Sequence, residues 1–143
     1  MQDGARFFAY TTWALMISVA IIIFTHRFIQ YMDESIWVAL LIVFGFGLIY
    51  FNFIYSVIKR YIRKVPAPTN LHIVLAVLIL VPPVVWVITS ANSISQNELL
   101  LILFLALSGV LGTIYGNRAG IKARYEYIQK LKQLQKEKFS LKK

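Results

Sequence analysis

Residues 99–120 read "LLLILFLALSGVLGTIYGNRAG", and no charged side chain appears among them until Arg118. Residues 99–115 are apolar nearly all round, whereas a surface helix of a soluble domain keeps one polar face. The hydrocarbon core of a bilayer, ~30 Å thick, takes about 20 apolar residues in a helix, with ~17 to 25 workable. Small residues are superimposed on this pattern. Ser108, Gly112, Gly116 and Gly120 recur every fourth position, with Gly109 beside them. Small residues at that interval form a groove along one helix face, where another helix approaches closely and gains dispersion contacts that lipid does not supply. The stretch therefore reads as a membrane span carrying a helix-packing or partner interface.

Three further segments share the hydropathy: residues 7–25, 36–58 and 71–89, none of which contains Asp, Glu, Lys or Arg. Inside lipid every backbone polar group must be paired within its own segment, which favours helices. The composition agrees. With 143 residues, 59% hydrophobic and 15% aromatic, the chain has more apolar side chain than a soluble domain of this length could cover. Its formal charge of +9 would suit nucleic acid only if it lay on a folded soluble face. Here the charge lies between and after apolar runs. There is no cysteine, which removes disulfides, thiolate metal sites and thiol nucleophiles. The first segment is longer than a secretory hydrophobic region and lacks a small-residue cleavage site behind it, so it is expected to stay as a signal anchor.

Capping signals coincide with the hydropathy edges. Ser95 stands three residues before Glu98, a capping-box spacing ahead of the fourth segment. Thr69 or Asn70 suits the start of the third segment, and Asp33 or Ser35 the start of the second.

Charge distribution sets the expected orientation. Of fifteen Lys and Arg residues, Arg6 precedes the first segment, Lys59, Arg60, Arg63 and Lys64 separate the second from the third, and nine follow the fourth. Only Arg27 falls on the other side, with Asp33, Glu34 and Glu98. The positive-inside rule then places both termini and the middle loop in the cytoplasm and the loops around Asp33 and Asn92 outside. Phe7, Phe8, Tyr10, Trp13, Tyr31, Trp37, Tyr50, Tyr55 and Tyr61 read as interfacial anchors.

Few polar features lie within the segments. Pro82 and Pro83 leave the carbonyls of Leu78 and Ile79 without their usual donors, which predicts a helix kink. Asn52, with Tyr55 and Ser56 on the same helix face, predicts an interhelical hydrogen bond, with Tyr10, Thr11 and Thr12 as partners. Gly45 and Gly47 offer close approach on the same helix. His26 and His72 fall on opposite sides of the membrane, so they do not share a metal. No segment carries the carboxylate that ion-coupled transport uses, and no HExxH, GxSxG or phosphate-cradling glycine loop is present.

Beyond Gly120 the chain is basic and interrupted by apolar residues. On a helical wheel Ile121, Tyr125, Ile128 and Phe139 share one face, Leu131 lies beside it, and Tyr127, Leu134 and Leu141 widen the stripe. Lys132 interrupts it, and Arg124 and Gln135 fall at heptad core positions, against a strict coiled coil. Lys130, Lys132 and their neighbours would meet anionic headgroups, each worth about 1 kcal/mol near the surface.

The expected architecture is an all-α, polytopic integral membrane protein of the plasma (inner) membrane. Residues 1–119 form a bundle of four transmembrane helices, and residues 120–143 a cytoplasmic amphipathic helix. The expected role is that of a non-enzymatic accessory or scaffolding subunit without a cofactor. Its partners would be anionic lipid headgroups and either another integral membrane protein or further copies of itself, but not nucleic acid. The alternative is a self-assembling channel, holin-like pore or small transporter built around Pro82, Pro83 and Asn52.

Overall fold

A computed structural model describes residues 2–64, 71–89 and 95–140, all of it helix or short connection. Five helices follow in order: α1 (Gln2–His26), the single turn α2 (Ile29–Met32), α3 (Ile36–Lys64), α4 (Leu71–Thr89) and α5 (Gln96–Ser140). α1, α3 and α5 are long and apolar enough to cross a membrane. α4 contains no Asp, Glu, Lys or Arg but is shorter, its 19 residues spanning roughly 28 Å at 1.5 Å per residue.

Helix starts follow the local chemistry where they are described. The Ser35 hydroxyl accepts from the Trp37 amide at 3.3 Å and so caps α3, while Asp33 turns elsewhere. The Ser95 hydroxyl accepts from the Glu98 amide at 3.2 Å and caps α5. The Glu98 side chain does not close the reciprocal half of the box; it reaches the indole of Trp86. Thr69, Asn70 and Asn92 lie outside the described residues.

Among the described residues the α3–α5 contact is the most extensive, and α5 also packs on α4 while α1 packs on α3 and α4. α5 is the central helix: 44% of its apolar stretch is buried, against 17% for α1 and 22% for α3. Its glycine ladder faces an isoleucine ladder on α3. A Cβ at Gly112 would stand 2.9 Å from the Phe51 carbonyl oxygen and 3.2 Å from Ile54 Cβ. One at Gly116 would stand 2.8 Å from the Tyr55 carbonyl oxygen and 3.0 Å from Ile58 Cβ. At Gly120 it would meet Ile62 Cβ at 2.7 Å. Both ladders step by four along helices that run in the same direction, so each glycine receives one isoleucine. Gly109 accommodates the Tyr50 ring and Ile79, and Gly47 lies under the Phe104 ring beside Ser108. Gly45 has nothing within 4 Å and is not a point of close approach.

Dispersion contact is the driving term here, because lipid tails are as apolar as the side chains they would replace. The outward apolar surface fits that account: Leu41 is 75% and Trp37 77% exposed, and Phe8, Phe44, Phe53 and Ile88 are also open. α4 contributes Leu75, Ile79 and Pro83 at helical spacing, all buried. It continues as helix through Pro82 and Pro83 to Thr89.

Two aromatic residues read as interfacial anchors are core residues instead. Tyr61 is fully buried, with Phe7 and Tyr10 ring centroids at 6.1 and 5.5 Å. Tyr50, 3% exposed, shares a 2.5 Å hydrogen bond with Ser18 on α1. The Ser18 hydroxyl donates to the Ala14 carbonyl at 2.9 Å, so the Tyr50 phenol is the donor in the shared bond. This bond, rather than one from Asn52, ties two helices together in the interior. Hydrogen bonds between membrane helices contribute roughly 0.6 kcal/mol on average and up to about 1.7 kcal/mol. Tyr50→Phe keeps the ring against Gly109, so we expect thermal unfolding in detergent to show a loss of about 1 kcal/mol. A loss of more than about 3 kcal/mol would mean the phenol does more than hold Ser18.

Candidate functional site

The two ends of the bundle differ in chemistry. At one end the last turn of α1, the last turn of α4 and the first turn of α5 converge. Trp86 Nε1 donates to Glu98 Oε1 at 2.7 Å, His26 Nδ1 stands 3.6 Å from the same oxygen, and the His26 and Trp86 rings are 5.1 Å apart. Glu98 is 7% exposed, and the indole N–H supplies the strong donor that a buried carboxylate needs. Asn97 Nδ2 donates to Asp33 Oδ1 at 2.6 Å, joining α5 to the turn after α2. These contacts pin the α1, α4 and α5 ends together. Hydropathy could not reveal them, because Glu98 sits where a capping box would put it and His26 has no sequence neighbour of matching chemistry. The His72 side chain lies outside the described ones. Among the described residues, no three His, Cys, Asp or Glu side chains gather closely enough to hold a metal ion.

The opposite end is basic. Two clefts flank the final turns of α3 and share Arg63 and Lys64. The larger, about 710 Å³, lies between α1, α3 and α5, with Arg6, Glu126, Tyr127 and Lys130 on its walls. The smaller, about 490 Å³, lies on the outer side of α3 and is lined by Tyr55, Ser56, Lys59, Arg60, Arg63 and Lys64. Two cations in the last turn of a helix complement its dipole. Lys59 and Arg60, a turn earlier, go beyond what that dipole attracts.

Asn52 faces outward on α3, and its Nδ2 donates to the Leu48 carbonyl of its own helix at 2.9 Å. The interhelical role expected for it belongs to Tyr50 and Ser18. Tyr55 is half-buried, stacks on Phe51 at 6.0 Å and receives the Lys59 ammonium 5.4 Å above its ring. Tyr10 packs on Tyr61 instead of approaching Asn52.

α5 does not end with the span. One helix of 45 residues runs from Gln96 to Ser140, roughly 67 Å long, and about 30 Å of it follows Gly120. Ala, Lys, Gln, Glu and Leu dominate the sequence after Gly120, so propensity favours its helical state. Tyr125 is 67% exposed, and Tyr127, Ile128, Leu131 and Leu134 are also open, as are Lys130 and Lys132 between them. The side chain of Phe139, and Leu141 altogether, lie outside the described residues. Ser108, Gly109, Gly112, Gly116 and Gly120 are all buried in the bundle, so that face already has its partner in α3 and α4. Pro83 faces the same interior and Pro82 is half-buried.

No family model, curated protein or solved structure matches the chain.

Proposed function

We propose that the chain is a small, non-enzymatic accessory or scaffolding subunit of a larger membrane-protein complex. It crosses the plasma (inner) membrane four times, with the short α4 as the third span. The basic end and both termini are cytoplasmic, which puts the continuation of α5 into the cytoplasm as an amphipathic helix. The observation that carries the reading is this uninterrupted helix. Its upper half is clamped by α3 and α4, while its lower half projects with Tyr125, Ile128, Leu131 and Leu134 uncovered. A rod held at one end, with an exposed apolar stripe along its free length, presents a preformed helix to a groove on a partner, at little entropic cost on docking. The lysines interleaved with that stripe hold it at the anionic membrane surface. Its glycine face is filled internally, so recruitment falls to the rod.

A pore built from copies of this chain would need a polar lining, and Asn52 is the only strongly polar side chain facing outward at mid-span among the described residues. The accessory reading expects purified chain, reconstituted alone in liposomes, to pass no ions or small solutes. Steady conductance that Asn52→Leu alters would replace this reading with the pore.

A further inference from the structure

The outward face of α3 bears a polar track that neither bundle packing nor the docking role of α5 uses. Asn52, Ser56, Arg60 and Arg63 lie at spacings of four, four and three residues, which places them on one side of the helix, and all four are exposed. Lys59 and Lys64 flank the track, and its lower part is the cleft of about 490 Å³. Among the described residues, no acidic side chain lines that cleft, whereas the larger cleft between the helices contains Glu126. An outward amide in hydrocarbon lacks partners for its remaining donor and its oxygen, which costs free energy unless a bound molecule supplies them.

We propose that this face is a binding site for an anionic phospholipid whose headgroup bears more than one negative charge. Arg60 and Arg63 offer planar forks that match phosphate oxygens, and Lys59 and Lys64 add point charge. Ser56 stands one helical turn above Arg60, roughly 6 Å along the axis, where the ester linkages follow a headgroup phosphate. Asn52, one turn higher and exposed, keeps an amide hydrogen and its oxygen available to polar groups of the same lipid that reach below the headgroup. Above it, exposed Leu48 and Ile49 give the acyl chains an apolar bed. A free phosphate ion would use the cations and leave Ser56 and Asn52 idle, so the track as a whole selects the lipid. The inference rests on membrane insertion and is independent of any protein partner of α5.

The test uses the full chain purified in mild detergent, with thermal unfolding and lipid retention as readouts. Phosphatidylcholine, phosphatidylcholine mixed with cardiolipin, and inorganic phosphate are added separately. Cardiolipin should raise the unfolding temperature and remain bound through gel filtration, while phosphatidylcholine and inorganic phosphate do neither. Arg60→Gln with Arg63→Gln, both on the exposed face, should weaken cardiolipin retention roughly thirtyfold, since each cation near the surface contributes about 1 kcal/mol. Lys130→Gln with Lys132→Gln should leave it unchanged, and Asn52→Leu with Ser56→Ala should weaken it while sparing the response to ionic strength. Stabilisation by inorganic phosphate equal to that by cardiolipin, or retention by the arginine double variant equal to the parent's, would overturn the proposal. Loss of a co-purifying protein without loss of cardiolipin would strike the docking reading alone.

Discussion

Gly116→Leu should unfold in detergent well below the parent protein, while Gly45→Leu on the partner helix should not. The first carbon added at Gly116 would lie 2.8 Å from the Tyr55 carbonyl oxygen and 3.0 Å from Ile58 Cβ. A backbone carbonyl within a continuous helix has no rotamer through which to withdraw, so α3 as a whole must move away from α5. The displacement is shared with the glycine–isoleucine contacts one turn above and below, at Gly112 and Gly120. Overpacking in a tight interior typically costs about 1 to 3 kcal/mol, and a leucine wedged against backbone should reach the upper end. Gly45 has nothing within 4 Å, so the same substitution there adds only a side chain facing outward. Equal melting of the two variants would mean that α3 and α5 are not joined through this ladder.

The second large effect concerns the projecting half of α5. Ile128→Ser with Leu131→Ser, every lysine retained, should leave thermal stability close to the parent value, because both side chains are exposed in the isolated chain. Recovery of a partner should nonetheless fall roughly a hundredfold. Burying two such aliphatic side chains at an interface is worth about 3 kcal/mol, and each 1.4 kcal/mol is tenfold in affinity. The pairing of unchanged stability with lost recovery separates docking from folding. Unchanged recovery would leave the tail with only its electrostatic attraction to the membrane.

Hydropathy is a strong guide to helix positions here because lipid forbids unpaired backbone, and the apolar runs coincide with α1, α3, α4 and α5. The partner of the glycine ladder was left open, because only the glycines stand out by composition. Ile54, Ile58 and Ile62 repeat at the same interval of four, and matched intervals on two helices are the signature of a ladder in register. Tyr50 and Tyr61 could not be placed by rule, since an aromatic belt and a buried aromatic core draw on the same residue types at the same depth. The choice between them depends on which face turns inward, and that is set by Gly109 opening space for the Tyr50 ring. Asn52 misled for a related reason. A polar residue in a span is expected to seek another helix, but its own Leu48 carbonyl lies one turn away and satisfies part of the amide. The His26, Trp86 and Glu98 contacts join residues from three helices, and no local pattern encodes such a meeting. A helix beyond Gly120 was expected from the sequence, and it continues α5 as far as Ser140, because the change from apolar to basic composition alters the surroundings of a helix without ending it.

The most direct test of the accessory role is mass spectrometry of whatever leaves the membrane with this chain in mild detergent. A second integral membrane protein should appear in fixed proportion, present with the parent chain and absent with the Ile128→Ser, Leu131→Ser variant. A homogeneous assembly of this chain alone, unaffected by those substitutions, would contradict it.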